Sequence, residues 1–428
     1  MTTNQATRRT LVASLNGRPV GWLTEAGNVW AFQYHPDWLS ANGFPISPAL
    51  PLGPDPIVDG ASTRPVQWFF DNLLPEHATR HLMAKEARVA DEDAWGLLAH
   101  IGAESAGALT LLPPDATPAP GGLRPLPNEE LQRRIDALPR QSLSAGSPKK
   151  MSLAGVQHKL PVCIRDGELF EPIGSESSTQ ILKPDSHVEG YPHTAVNEYF
   201  CMKLAERLKL PVPRVELRHV PAPVYLVTRF DREEGHPNHR LHAFDGAQLL
   251  SIQSGQKYKF ATVESLVQCL DHCRARAHDR AQLFRWVVFN VLVGNSDAHL
   301  KNLSFLVTSE GIALAPFYDL VSTVVYHTRD YLPEATPWPD VELSMPMGKS
   351  TRFSEVTGDD LVAVGQQLGL KPAPAHQHIN ELSRQIGAEA AQLMQGLLAR
   401  EALTAGERRI VRLIVSLPIS EMAARLRA

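Results

Sequence analysis

The 428-residue chain is 43% hydrophobic and 21% charged, the make-up of an ordinary globular protein with room for roughly two or three domains. Its formal net charge of −4 gives no basic field over the whole molecule, so direct nucleic-acid binding is not expected of the chain alone, and any route to DNA runs through a partner. The first residues lack an apolar stretch and no run of about 18 apolar residues occurs, which argues for a cytoplasmic protein without a membrane span.

Up to about Leu112 the pattern alternates strand-like stretches (Leu11–Leu15, Val29–Phe32) with helical ones around Gln67–Lys85 and Glu92–His100, which predicts a small α/β subdomain over residues 1–112. Residues 113–127 are too rich in Pro and Gly for a regular element and read as an extended connector at a domain seam. A short helix over Asn128–Leu138 follows. Residues 128–242 then carry strands at Lys159–Ile164, Gln180–Lys183, Val215–Arg218 and Val224–Thr228. A helix at His193–Leu208 has Val196, Phe200, Leu204 and Leu208 on one apolar stripe. A sheet with one helix is the pattern of a small nucleotide-binding lobe. Residues 243–428 are mainly helical, with candidates at Val263–Ala277, Arg280–Val293, Gly358–Leu368, Pro374–Gly396 and Leu403–Leu426, the last interrupted at Pro418.

Chemistry-bearing residues appear along this series. Ser152-Leu-Ala154-Gly155-Val156-Gln157-His158-Lys159 is a small-residue turn entering a strand, able to lay backbone N–H groups over phosphates, although its single glycine matches neither common phosphate-loop pattern. Lys183 ends a strand before Pro184 and is the prime phosphate ligand. Glu198, off the apolar stripe of the next helix, is placed to orient it, against the plainer reading of a solvated surface residue. The four cysteines (Cys163, Cys201, Cys269, Cys273) are too few for a disulfide scaffold. Cys269, His272, Cys273 and His278 have a faint metal-site spacing, yet i to i+4 equally suits small buried residues on one helix.

The stretch Gly294-Asn-Ser-Asp297-Ala-His299-Leu-Lys301-Asn302 carries most of the functional signal. Two short apolar runs, Leu303–Val307 and Ile312–Pro316, flank the turn Thr308–Gly311, and Pro316-Phe-Tyr318-Asp319 follows. If the runs pair as a hairpin, Asp319 returns near Asn302. Asn302 and Asp319 can then hold a magnesium ion that keeps nucleotide phosphates as further ligands, while Asp297 accepts the proton of an incoming hydroxyl. Taken singly, Asn-Ser-Asp near a helix end is as well read as a cap.

With these pieces in order the chain resembles the HipA family of Ser/Thr protein kinases, the toxins of bacterial toxin–antitoxin modules. The likeness is carried by Phe69-Phe-Asp-Asn-Leu-Leu-Pro75, Ile101–Leu109, Ser152–Lys159, Ile181-Leu-Lys-Pro184, Asn197-Glu-Tyr-Phe200, Arg229-Phe-Asp-Arg232, Asn295–Asn302 and Pro316–Asp319, nearly end to end and in the family's order. It implies an α+β, two-lobed protein-kinase-like fold (mixed-sheet N-lobe, mainly helical C-lobe) behind a small N-terminal α/β subdomain. It also implies ATP with Mg2+ as cofactors and phosphorylation of a protein Ser or Thr, with aminoacyl-tRNA synthetases among family targets. By resemblance, Asp297 is the catalytic base and Asn302 and Asp319 are metal ligands. Lys183 and residues Ala154, Gly155, Val156, Gln157, His158 and Lys159 hold phosphates. The backbone of Thr228, Arg229 and Phe230 receives the adenine, and His299, Lys301 and Tyr318 touch the nucleotide. Ser152 corresponds to the family's autophosphorylated loop serine, where added negative charge would oppose the ATP phosphates. A DNA-binding antitoxin is the implied partner, and a homodimer is left open. His158 and Thr228 depart from family Glu positions, and residues 329–352 carry no motif of the family. The competing reading is a kinase-shaped binding module or co-repressor; phosphotransfer to a small molecule would call for a strongly acidic cleft that the sequence does not show.

Overall fold

The computed structural model describes residues 8–427 apart from 118, 152–154, 156, 309 and 401–402. The fold is α+β and divides into two compact units that share the chain. One comprises residues through Leu182 with Arg229–Gln256 and Phe305–Glu310; the other comprises Lys183–Thr228, Lys257–Ser304 and the chain from Gly311 onward.

The first unit opens with an antiparallel five-stranded sheet in the order Ile57–Val58, Val29–Tyr34, Arg18–Ala26, Arg9–Leu15, Leu109–Leu112. Alternation sets its inner face: Leu11, Ala13 and Leu15, then Trp30, Phe32 and Tyr34, are buried. The central strand Arg18–Ala26 is absent from the expected elements, but its two turns are legible. Asn16-Gly17 and Gly27-Asn28 both take positive φ at each residue, as a two-residue type I′ hairpin requires. The expected helical stretch Gln67–Lys85 is two helices, Pro65–Asp71 and His77–Ala87, with Leu73 and Leu74 buried at the break.

The supposed connector contains a strand. Gly122–Pro125 pairs with Glu168–Ile173, which pairs in turn with Leu160–Arg165. The proline is tolerated because it lies at the strand's end on the sheet edge. Leu160–Arg165 also pairs with Gln180–Pro184, Leu160 facing Leu182.

Two family-like motifs of this unit meet in a buried charged cluster. Glu104 lies 2.6 Å from Arg232, 2.8 Å from Lys149 and 3.5 Å from Arg229. Arg229 also pairs with Asp231 at 2.6 Å, and Asp231 accepts the Gly107 N–H at 2.6 Å. Burial alone would keep Glu104 neutral, but Lys149, Arg229, Arg232 and Arg240 outweigh it and hold its pKa at about 2.

The second unit is mainly helical. Helix Arg276–Val293 is buried on all sides from Leu283 onward, as its apolar run dictates. Around it stand Val263–His272, Gly358–Gln367, Pro372–Arg400, Ala405–Ile414 and Ser420–Arg425. The interruption expected at Pro418 is a π-helical turn, Val415–Ile419, that carries the chain between the last two helices. Helix Thr194–Arg207 packs on the hairpin of Val215–His219 and Pro223–Thr228 through Val196, Phe200 and Leu204. Part of the irregular stretch 329–352 is ordered as a second hairpin, Glu342–Met347 with Ser350–Arg352.

Candidate active site

Gly294 turns the chain out of the central helix into the loop that bears Asp297. Its φ of 66° is a left-handed cap, and its carbonyl accepts both the Thr323 and Val324 N–H groups at 3.1 Å. A Cβ there would stand 2.3 Å from a Val324 methyl carbon, so close packing as well as conformation demands glycine. Asn295 fixes the next step, donating to Asn290 at 2.7 Å and accepting the Asp297 N–H at 3.0 Å. Thr323 Oγ1 accepts the Ser296 N–H at 2.6 Å. Asp297 therefore stands on a backbone held from three sides, with its side chain 44% exposed.

The chain then doubles back. At the base of the expected hairpin the Ala315 N–H donates to the Ser304 carbonyl at 2.9 Å. Tyr318 Oη lies 2.8 Å from Ser304 Oγ and donates to the Lys301 carbonyl at 2.8 Å. This brings the neighbours Asp319 and Asn302 to the same end of the fold. The hydroxyl of Tyr318, a residue expected to touch the nucleotide, braces these two backbone segments. Asn302 donates its Nδ2 to the Asp297 carbonyl at 2.8 Å, which leaves its Oδ1 as the acceptor end of the amide. His299 and Lys301 are buried; His299 Nε2 stands 3.9 Å from Asp297 Oδ1.

Lys183 lies at the centre of a buried ionic triad. Its Nζ is 2.7 and 2.9 Å from the two Glu198 oxygens and 2.6 Å from Asp319 Oδ1. Glu198 is only 2% exposed, so it is not the solvated residue of the plainer reading. Burial works against the charge on Lys183, but Asp319 and Glu198 outweigh it and hold its pKa above the ordinary lysine value. Asp319 adopts φ 58°, a left-handed conformation that Asp tolerates better than most residues. Asn197, beside Glu198, clamps the segment that follows: it donates to the Ser322 carbonyl at 2.8 Å and accepts the Ser322 N–H at 2.9 Å.

The oxygen donors fit a hard cation. Asn302 Oδ1 and the Asp319 carboxylate make a small set of the kind magnesium accepts when phosphates and water complete its shell. Among the described residues no group of three or more His, Cys, Asp or Glu side chains is arranged to hold a metal. Cys269 and Cys273 are buried, with the Cys273 thiol directed at the Cys269 carbonyl at 3.6 Å, which is the small-residue packing and not a ligand cluster.

Of the phosphate loop, Ser152, Ala154 and Val156 lie outside the described residues. Gly155 takes φ 107°, and a Cβ there would lie 2.8 Å from Lys159 Nζ, so the Lys159 ammonium folds over a bare backbone. Gln157 and His158 are half-buried. In the segment expected to receive the adenine, the Thr228 N–H donates to the Arg214 carbonyl and the Arg229 N–H to the Thr179 carbonyl, both at 2.9 Å. The Arg229 side chain is spent in the buried cluster.

Sequence reasoning missed Asn197, Asn290, Asn295, Thr323 and Tyr258. Tyr258 donates its hydroxyl to Asp297 Oδ1 at 2.6 Å. Asn197 had a signal, an amide among Val196, Phe200 and Cys201 on a buried face; Asn290 and Asn295 bond each other five residues apart, whereas Thr323 and Tyr258 reach partners 27 and 39 residues away and had none.

Residues 11–112 match the HipA N-terminal domain and residues 151–390 the HipA-like C-terminal domain. "Putative kinase Y4mE" of Sinorhizobium fredii is 34% identical over 91% of this chain and 93% of its own. "Serine/threonine-protein kinase toxin HipA" of Shewanella oneidensis is 30% identical over 90% of this chain and 89% of its own. A solved Shewanella oneidensis structure, HipA with HipB and operator DNA, superposes with a TM-score of 0.81 at 27% identity over 97% of both chains.

Proposed function

Because the chain belongs to the HipA family of kinases, we propose that it transfers the γ-phosphoryl group of ATP to a Ser or Thr of a protein target, as the toxin of a toxin–antitoxin pair. The observation that carries the reading is the Lys183–Glu198–Asp319 triad, whose buried lysine is fixed in place within a unit that also presents Asp297 on a braced loop.

In this reading Asp297 accepts the proton of the attacking hydroxyl. Lys183, oriented by Glu198, meets the phosphates. Asn302 and Asp319 hold magnesium, which when bound would neutralise charge developing on the phosphoryl oxygens. The triad carries one positive and two negative charges, so a site of this kind suits a cation better than a bare anion. Within the first unit, Gly155 and Lys159 supply a glycine-opened backbone and an ammonium, chemistry suited to phosphate oxygens. Ser152 is the proposed site of self-phosphorylation, and the fourfold charge of ATP gives the modified loop reason to leave.

The partner proposal rests on the Shewanella oneidensis complex, in which HipA is seen with HipB and operator DNA. A DNA-binding antitoxin fits a chain whose net charge of −4 gives it no basic field of its own. The target class that the family suggests is an aminoacyl-tRNA synthetase. Among the described residues no helix is long and apolar enough to cross a membrane, and a cytosolic target is consistent with that.

The test is phosphoproteomics after brief induction of the wild type and of Asp297→Ala, with self-phosphorylation measured on the purified chains. Loss of both signals in the variant is expected. Signals absent from both chains would instead make this a kinase-shaped binding module or co-repressor, and equal signals from both would remove Asp297 from the role of base.

A further inference from the structure

Tyr258 is 53% exposed, yet its hydroxyl donates to Asp297 Oδ1 at 2.6 Å. The ring meets His299 edge-on, centroids 5.1 Å apart, and Lys257 Nζ stands 5.2 Å from the ring centre. A general base must lie within about 2.6–3.2 Å of the hydroxyl it deprotonates, and a hydroxyl of the chain itself already meets that requirement. On the kinase reading, this is where the acceptor Ser or Thr must arrive.

We propose that Tyr258 is a tethered stand-in for the acceptor: its hydroxyl caps Asp297 until a protein Ser or Thr displaces it. The contact spends a hydrogen bond of the carboxylate on an internal donor and blocks the approach to Oδ1. The contacts of the ring with His299 and Lys257 keep the hydroxyl beside Oδ1. A docked protein can turn the ring aside, because more than half of it faces solvent. The device would suppress idle hydrolysis of ATP and reserve the base for protein hydroxyls. No covalent step is added; Tyr258 acts only by occupying Asp297 Oδ1 and does not orient it.

The inference rests on the kinase reading, and Tyr258→Phe separates the two. The variant keeps the ring against His299 and removes only the hydroxyl; Tyr258→Ala removes both, and melting temperatures of the two report any wider damage. Magnesium-ATP alone is supplied first, then the Asp297→Ala chain as a protein acceptor at graded concentrations. Freeing the base should lower the acceptor KM and raise acceptor-free hydrolysis, each by about ten- to a hundredfold for one hydrogen bond to a charged group, with kcat unchanged. A fall in kcat at constant KM would show that the hydroxyl orients Asp297 rather than competing for it, and would overturn the proposal. So would unchanged KM and hydrolysis in both variants. If the wild type moves no phosphate to water or protein, the kinase reading falls and this inference with it.

Discussion

Replacing Lys183 by methionine keeps much of its volume and removes its charge, leaving two carboxylates without their common partner. The consequence differs between them. Asp319 has a side chain 30% exposed and can recover water; Glu198, at 2% exposure, cannot. Removing one member of a buried pair costs about 3–5 kcal/mol, and here nearly all of it falls on Glu198. The pKa of Lys183 is held above the ordinary lysine value, so its stabilisation is complete at neutral pH and disappears only in alkali, as the pH rises through that raised value. Urea unfolding at neutral pH, followed by tryptophan fluorescence, should therefore show the whole loss. Adding Glu198→Gln to Lys183→Met removes the stranded charge, and should restore most of the stability while leaving phosphotransfer abolished. Unfolding of Lys183→Met within about 0.5 kcal/mol of wild type, the range of an ordinary surface change, would refute the claim that this cation balances Glu198. Recovery of activity in the double variant would refute its role at the phosphates.

Asn197→Ala should cost about 1–3 kcal/mol, because it strands the buried Ser322 N–H and carbonyl, and should lower kcat by loosening the segment behind Asp319. A thermal melt with a phosphotransfer assay checks both; no change in either would remove Asn197 from the site's supports. In the first unit, Glu104 has a folded pKa of about 2 against an ordinary value of 4.5, so its ionised form stabilises the fold above 4.5 and that contribution drains away as pH falls through 2. The difference is worth about 3 kcal/mol. Glu104→Gln should flatten the acid limb of the stability curve in that window, and a limb as steep as wild type would show that other carboxylates drive it.

The parts of the site that the sequence makes legible are those whose signal is local. Lys183 reads from a short apolar run stopped by Pro184, and Glu198 from its place off a four-residue stripe. The pairing at 2.7 Å follows once strand and helix pack. The doubling back of the chain before Asp319 reads from two short runs around a turn. What escaped is held by partners far along the chain: Asn197 bonds across 125 residues and Tyr258 across 39, and neither carries a periodicity that names its partner. The strand Gly122–Pro125 was hidden because an edge tolerates the prolines that would exclude a central strand. The strand Arg18–Ala26 was hidden behind an interrupted alternation, though the turn residues at both its ends were in plain view.

The way the chain is shared out also governs how it can be cut. It leaves the first unit after Leu182, re-enters it at Arg229 and again at Phe305, and finishes in the second. Any single truncation past Leu182 and before the final stretch therefore robs both bodies of residues, and neither can be expressed as one uninterrupted fragment. Gene fusions and shuffling would therefore have to carry the residues of both units together.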